Sequence, residues 1–213
     1  MSKDIILIGG GGHCRSVIDV AESAGYQIIG ILDKPELAGS QVLGYPIIGT
    51  DEDISQYAGK ASFHITVGQI TNAAIREQLY KKVVLAGGFI ATIISPFAVV
   101  SKHAHIGQGC TIMHKAVVNA NATIGQNCII NTSADIEHDV SISDFCHIST
   151  GATINGAAKV GHHSFIGSNA TVNQGVTITN HVILGSGSVL TKDVLKPGIY
   201  TGAPATLKIK IEA

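Results

Sequence analysis

One pattern constrains this chain more than any other. From Ile94 to Leu190 an aliphatic residue recurs at every sixth position, seventeen times without a miss. Four residues after each stands a small or β-branched residue, from Ala98 through Cys110, Cys128 and Cys146 to Val194. A period of six is neither the 3.6 of a helix nor the 2 of a plain strand. It fits a two-sided unit, short strand then corner, repeated three times per turn, so that residues eighteen apart stack at ~4.8 Å. The expected fold of this half is therefore a parallel β-helix of hexapeptide repeats, with both small and aliphatic sites pointing inward. The register never breaks, so no sizeable loop protrudes between Ile94 and Leu190. Nine of the seventeen residues that follow the aliphatic are Gly or Asn, which predicts positive φ at that corner position.

Composition agrees with a core built from small aliphatic side chains. Hydrophobic residues are 45% of the chain while aromatic residues are 5%, Trp is absent, and there are 25 Gly. The net charge of −1 supplies no basic field for nucleic acid or an anionic membrane surface, so neither is expected as a partner. No apolar run reaches the ~18 residues of a membrane span. Met1-Ser2-Lys3-Asp4 lacks the positive start of a secretory signal, and the expected location is cytoplasmic. In that compartment the four cysteines are expected as thiols. Cys110, Cys128 and Cys146 share the small inward site and read as packed thiols rather than nucleophiles.

The first half follows a different rule. Ile5–Ile8 reads as a buried strand, Gly9-Gly10-Gly11-Gly12 as a turn, and His13–Ser23 as a helix closed by Gly25. Gln27–Leu32 is a second strand ending at Asp33, and Phe63–Val67 a third ending at Gly68. A helix over Thr71–Ala86, capped by Thr71 or Asn72, stops at Gly87-Gly88. Strand, glycine turn, helix, strand and acid in that order place free N–H groups at a helix N-terminus, where phosphate binds well. The spacing G-x-G-x-x-G is not met, because Cys14 or Arg15 stands where the third glycine belongs; this favours a nucleotide other than a nicotinamide cofactor. The domains expected are an α/β Rossmann-like nucleotide-binding domain over 1–90 and the β-helix with a C-terminal tail over 91–213.

Among the ten histidines, His138 stands apart. It lies two residues after ladder residue Ile136, outside the inward sites, and between Glu137 and Asp139. A carboxylate partner fixes the tautomer of such an imidazole and raises its basicity, which suits a general base. The pairs His103 with His105 and His162 with His163 have no Cys or carboxylate at a known ligand spacing, so no metal is expected.

Gly9-Gly10-Gly11-Gly12-His13, Asp33, the run Asn131-Thr132-Ser133-Ala134-Asp135-Ile136-Glu137-His138-Asp139 and the ending Gly202-Ala203-Pro204-Ala205 together carry a resemblance. Over essentially its whole length the chain resembles the sugar acyltransferases of the sialic acid O-acetyltransferase type, nearest to their UDP-4-amino-sugar N-acetyltransferases of the bacillosamine pathway. The resemblance implies a left-handed β-helix and an acetyl-CoA-dependent transfer to the amino group of a UDP-linked 4-amino-4,6-dideoxy sugar. O-acetylation of sialic acid or a related sugar stays open, and so does a scaffold without activity. It further implies His138 as general base oriented by Asp139, and His147, Gly156, Ser168 and Ser186 along acetyl-CoA. Gly11, Gly12, His13, Cys14, Asp33, Lys34, Gly68 and Asn131 are implied for the nucleotide-sugar, and a homotrimer is implied for the assembly. Cys14 where the family often has Gly, and Asp139 where the bacillosamine enzyme has Glu, are departures from the pattern.

Overall fold

The computed structural model describes residues 3–210 and separates into two compact units. One comprises the chain up to Gly68 together with Ala74–Pro96, the other Gln69–Ala73 together with the chain from Phe97 onward.

The first unit runs β1 (Asp4–Ile8), α1 (Gly12–Ser23), β2 (Gln27–Leu32), β3 (Gln41–Val42), β4 (Tyr45–Gly49), α2 (Ile54–Tyr57), β5 (Ser62–Ile65) and α3 (Ala74–Leu85). The sheet order is β3-β4-β2-β1-β5, parallel except for the β3–β4 hairpin. Ile5, Ile6, Leu7 and Ile8 are all buried because β1 is covered on both faces; a strand of that kind shows an unbroken apolar run instead of alternation. The glycine after α3 ends it as expected: Gly87 has φ +72, its N–H reaches Val84 O, and Gly88 N–H reaches Val83 O. The other end differs from the expected one. α3 begins at Ala74 and not at Thr71, since Gln69–Ala73 belongs to the second unit.

The second unit is a left-handed parallel β-helix. From Ile93 to Ile178 its strands are two residues long, and they pair with the strand eighteen residues on, as in Val117↔Asp135↔Thr153 and Ile129↔His147↔Phe165. The aliphatic ladder from Ile112 to Leu190 and the small-residue ladder beside it form one buried core. Burying each aliphatic contributes roughly 1.5–3 kcal/mol. Three cysteines add polar rungs, since the thiols of Cys110, Cys128 and Cys146 donate to the carbonyls of Gly125, Ser143 and Gly161 at 2.9, 3.1 and 3.1 Å.

Two expectations for this half are corrected. Ile94 does not enter the ladder but is 38% exposed, and Val100 and Ile106 are only partly buried; the end of a stack has a neighbouring coil on one side only. From Ile106 to Leu184 positive φ falls on the third residue after each aliphatic, as at Asn121 (+60), Asp139 (+61) and His163 (+59), and not on the first. The glycines at the first position answer to crowding instead. A Cβ on Gly107 would stand 2.6 Å from the Gly125 backbone, and one on Gly167 would stand 2.5 Å from Ser186 N. The tail closes the unit as a hairpin: Gly198–Gly202 pairs parallel with Val182–Leu184 and antiparallel with Ala205–Lys210. Among the described residues no helix is long and apolar enough to cross a membrane.

Candidate active site

The carboxyl ends of β1, β2 and β5 open into a cavity of about 710 Å³ in the first unit, the place where parallel sheets bind ligands. Gly9 to Gly12, His13, Asp33, Lys34 and Gly68 line it, with Leu32, Leu37, Ile75 and Leu79 as apolar walls. The glycine turn is shaped by close approach. Gly9 has φ +103, and a Cβ there would meet Val67 Cγ2 at 2.5 Å. Gly11 and Gly12 face open space. Gly11 is the N-cap of α1, no side chain caps that terminus, and its first turn holds no acidic residue. The N–H groups there are left for a ligand, where the helix dipole favours an anion.

Asp33 sharpens this picture. Its carboxylate accepts from Gly10 N–H and from Lys34 N–H, the latter at 2.7 Å. Gly10 is thus already occupied by a negative group, and an anion has room at Gly11 and Gly12, with Lys34 beside it. Cys14 is placed differently from the other turn residues. It is fully buried beneath the turn, outside the cavity lining, and burial pushes its thiol up to about 11. Arg76, also buried, braces the far wall by donating to the carbonyls of Ile65 and Val67.

In the second unit, Glu137, His138, Asn155, Gly156 and Gln174 line an open cleft of about 650 Å³. Residues 138, 156 and 174 are eighteen apart and stack along one edge of the prism. His138 stands out from it, its side chain 62% exposed. A Cβ on Gly156 would lie 2.8 Å from His138 Cε1 and Nε2, so glycine gives the imidazole its seat. His138 Nδ1 donates to Asp139 Oδ2 at 2.8 Å, which leaves Nε2 as the acceptor. That hydrogen bond, more than any other influence, raises the pKa of His138 above its ordinary value. Asp139 in turn accepts from Asn121 Nδ2 at 2.7 Å, and this bond first, then the one to His138, holds its carboxyl below the usual range. Asn121 is a residue that sequence reasoning missed. The signal was present, since 121 lies one coil before 139 and both take the left-handed conformation.

His147 sits in a different setting. It is 7% exposed, its Nδ1 lies 2.7 Å from Gln69 O, and its Nε2 lies 3.1 Å from Asn131 Nδ2. The ring nitrogens of His147 are thus both engaged within the fold. Ser168 Oγ meets Ser149 Oγ at 3.0 Å, and Ser168 O accepts from Gly187 N–H. Ser168 and Ser186 are eighteen apart but thirty and forty-eight from His138, which puts them on another edge of the prism. A single chain therefore does not bring Gly156 and the two serines to one face. Among the described residues no group of three or more His, Cys, Asp or Glu has the arrangement to hold a metal ion.

Comparison with known proteins follows this division. Residues 4–83 match the family described as the PglD N-terminal domain, and residues 103–134 and 157–192 match the bacterial transferase hexapeptide family. His138 and Asp139 fall between the two hexapeptide stretches. The chain is similar to the acetyltransferase domain of PglB from Neisseria gonorrhoeae FA1090, solved in complex with acetyl coenzyme A. It is 31% identical, covers 98% of this chain and 100% of that one, and has a TM-score of 0.90. It is also similar to a variant of GDP-perosamine N-acetyltransferase from Caulobacter crescentus, in complex with CoA and GDP-perosamine, at 31% identity over 96% of each chain and a TM-score of 0.90. A curated relative, the uncharacterized protein L142 of Acanthamoeba polyphaga mimivirus, is 35% identical over 111 residues, and the match spans 21% of its length.

Proposed function

Because the chain belongs to the hexapeptide acyltransferases that carry a PglD-type N-terminal domain, we propose that it transfers the acetyl group of acetyl-CoA to the amino group of a nucleotide-linked sugar. The observation that carries this reading is the Asn121–Asp139–His138 chain, which ends in a free imidazole acceptor at the mouth of a cleft. An ammonium group cannot attack a thioester, so the acceptor nitrogen must lose a proton before or during attack. His138 Nε2 takes that proton as the sugar nitrogen bonds to the thioester carbon. The carbonyl oxygen becomes an oxyanion, and its collapse expels the CoA thiolate, which takes the proton held on His138 Nε2 and leaves as the thiol. Asp139 keeps the first proton on Nδ1 and stabilises the imidazolium that forms. The N–H of Gly156, which has no hydrogen-bond partner among the described residues, is proposed as the donor to the oxyanion.

Transfer is direct. The cysteines of the coil are fully buried, burial pushes Cys128 well above the ordinary thiol value, and no exposed thiol stands at the cleft. An acyl-enzyme therefore has no nucleophile to form on, and sequential kinetics are expected. The acceptor is proposed as a UDP-linked 4-amino-4,6-dideoxy sugar, its diphosphate at Gly11 and Gly12 and the remainder beside Asp33, Lys34 and Gly68. The homotrimer is proposed because Gly156 and the pair Ser168 and Ser186 lie on separate edges, so that one cofactor reaches both sets only across neighbouring subunits.

The test is thiol release from acetyl-CoA with UDP-, GDP- and dTDP-linked amino sugars and with free sialic acid, followed by mass spectrometry of the product. Acetylation of a nucleotide amino sugar on nitrogen supports the reading. Acetylation of a sialic acid hydroxyl, or no turnover with any acceptor, overturns it. A preference for GDP or dTDP overturns the uridine assignment alone. Light scattering that shows an active monomer at micromolar concentration overturns the trimer.

A further inference from the structure

We infer that Gln69, a residue of the segment between β5 and α3, is a positioning residue for the acetyl-transfer site. It fixes the proton of His147 on Nδ1, and through His147 it fixes the orientation of the Asn131 amide. Calling it a positioning residue for acetyl transfer rests on the function proposed above; the tautomer itself does not.

A chain of hydrogen bonds runs through His147, and its two ends agree. Asn131 Oδ1 accepts from Thr132 N–H at 2.8 Å, which assigns the oxygen of that amide and turns its NH₂ toward His147. The NH₂ then lies 3.1 Å from His147 Nε2, which must present a lone pair to receive it. At the other end His147 Nδ1 faces the main-chain carbonyl of Gln69 at 2.7 Å, a group that only accepts. Nδ1 must therefore carry the hydrogen. A proton on Nε2 would set one donor against another at Asn131 and leave the Gln69 carbonyl facing a lone pair, both buried. Such mismatches are expensive where water cannot enter.

What holds the Gln69 carbonyl in place is its own side chain. Gln69 is 3% exposed, and its Nε2 donates to Phe145 O at 2.8 Å. Phe145 has φ +54 and lies two residues before His147. Gln69 thus grips the coil on both sides of Cys146, once through its amide and once through its carbonyl. Its Oε1 is buried without a hydrogen-bond partner. Of the two ends of the Gln69 amide, the donor end is the one the fold engages. Nothing in the hexapeptide period points to this residue, because it lies outside the repeat.

The experiment combines imidazole ¹⁵N NMR with kinetics. In the unsubstituted protein at neutral pH, His147 should show a protonated Nδ1 and an unprotonated Nε2. In Gln69→Leu, which keeps the volume and removes both the donor and the unpaired oxygen, the ring should lose that single tautomer. Its kcat should fall ~10- to 100-fold, the usual penalty for slight misplacement. An Nε2–H tautomer in the unsubstituted protein overturns the inference without any variant being made. So does a Gln69→Leu protein that is altered at His147 yet transfers acetyl at the normal rate, or one unchanged in both. If the unsubstituted protein shows the Nδ1–H tautomer but acetylates no amino sugar, the proposed function fails while the tautomer assignment stands.

Discussion

The cavity of the first unit and the cleft at His138 are built by opposite means. In the first, backbone does the work: a glycine turn approaches Val67 closely, leaves the N-terminus of α1 uncapped and opens into a walled space. In the second, backbone is a regular rail, and side chains hung from it at multiples of eighteen make the chemistry. The first is therefore suited to gripping a ligand and the second to moving a proton. The lesson is that binding and catalysis can be disabled separately in this molecule, provided the contrast holds.

The hardest test of that contrast is His138→Ala. Loss of the base should lower kcat by ~10²–10⁴-fold while KM for acetyl-CoA and for the nucleotide-sugar stay close to normal. A large rise in either KM would show that the imidazole grips as well as abstracts. Gly11→Val probes the other side. Gly11 has φ −72, open to any residue, and no atom lies within 4 Å of a Cβ there, so valine fills the cavity without strain. KM for the nucleotide-sugar should rise ~10-fold or more, the order expected when one polar contact is blocked, with affinity for acetyl-CoA unchanged. An equal loss of both affinities would erase the division of labour.

Acid should also separate the two regions. His64 is fully buried beneath the sheet of the first unit and donates to Ala91 O, and burial lowers its pKa from 6.5 to about 4. Above 6.5 it is neutral folded or unfolded and the stability is intact. As pH falls from 6.5 toward 4, only the unfolded chain gains the proton, so stability drops by about 1.4 kcal/mol per pH unit. Urea midpoints followed across that range should show the slope, and His64→Gln should flatten it. The smallest effect is at Asp139. Since Asp139 raises the pKa of His138, the neutral base is lost on acidification sooner than for an ordinary histidine. Asp139→Asn, which tolerates the same left-handed backbone, should move the acidic limb of kcat/KM to lower pH. A limb that stays put would assign it to another group.

The two regions were also unequally legible in the sequence. A strict period announces its own geometry, so the parallel coil, its inward aliphatics and the exposed His138 follow from counting. Counting did not reveal which corner residue turns left-handed, because glycine serves two purposes there. At Gly107 it admits the next coil's backbone, while positive φ falls two positions later at Gly109. Asn121 was within reach of the same arithmetic, and so was the separation of Ser168 and Ser186 from the His138 edge. The first unit offers no such rule. Its strands and glycine turn were readable, yet the start of α3 was misplaced because Gln69–Ala73 is claimed by hydrogen bonds to Phe145 and His147. No local signal at Thr71 or Asn72 encodes a partner more than seventy residues away.

The C-terminal hairpin has a bearing on solubility. Parallel rungs form an open-ended template: the last coil exposes unpaired amides and carbonyls on which another chain's strand could be laid, and another after that. Amyloid grows by that kind of addition. Here the chain reverses direction at its end, setting Ala205–Lys210 antiparallel on the edge of the final sheet, with Lys208 and Lys210 exposed along it. A newcomer to that edge meets two positive charges. The same regularity that makes the scaffold rigid would invite filaments, and on this sheet Ala205–Lys210 replaces the bare rung of the coil with a charged edge.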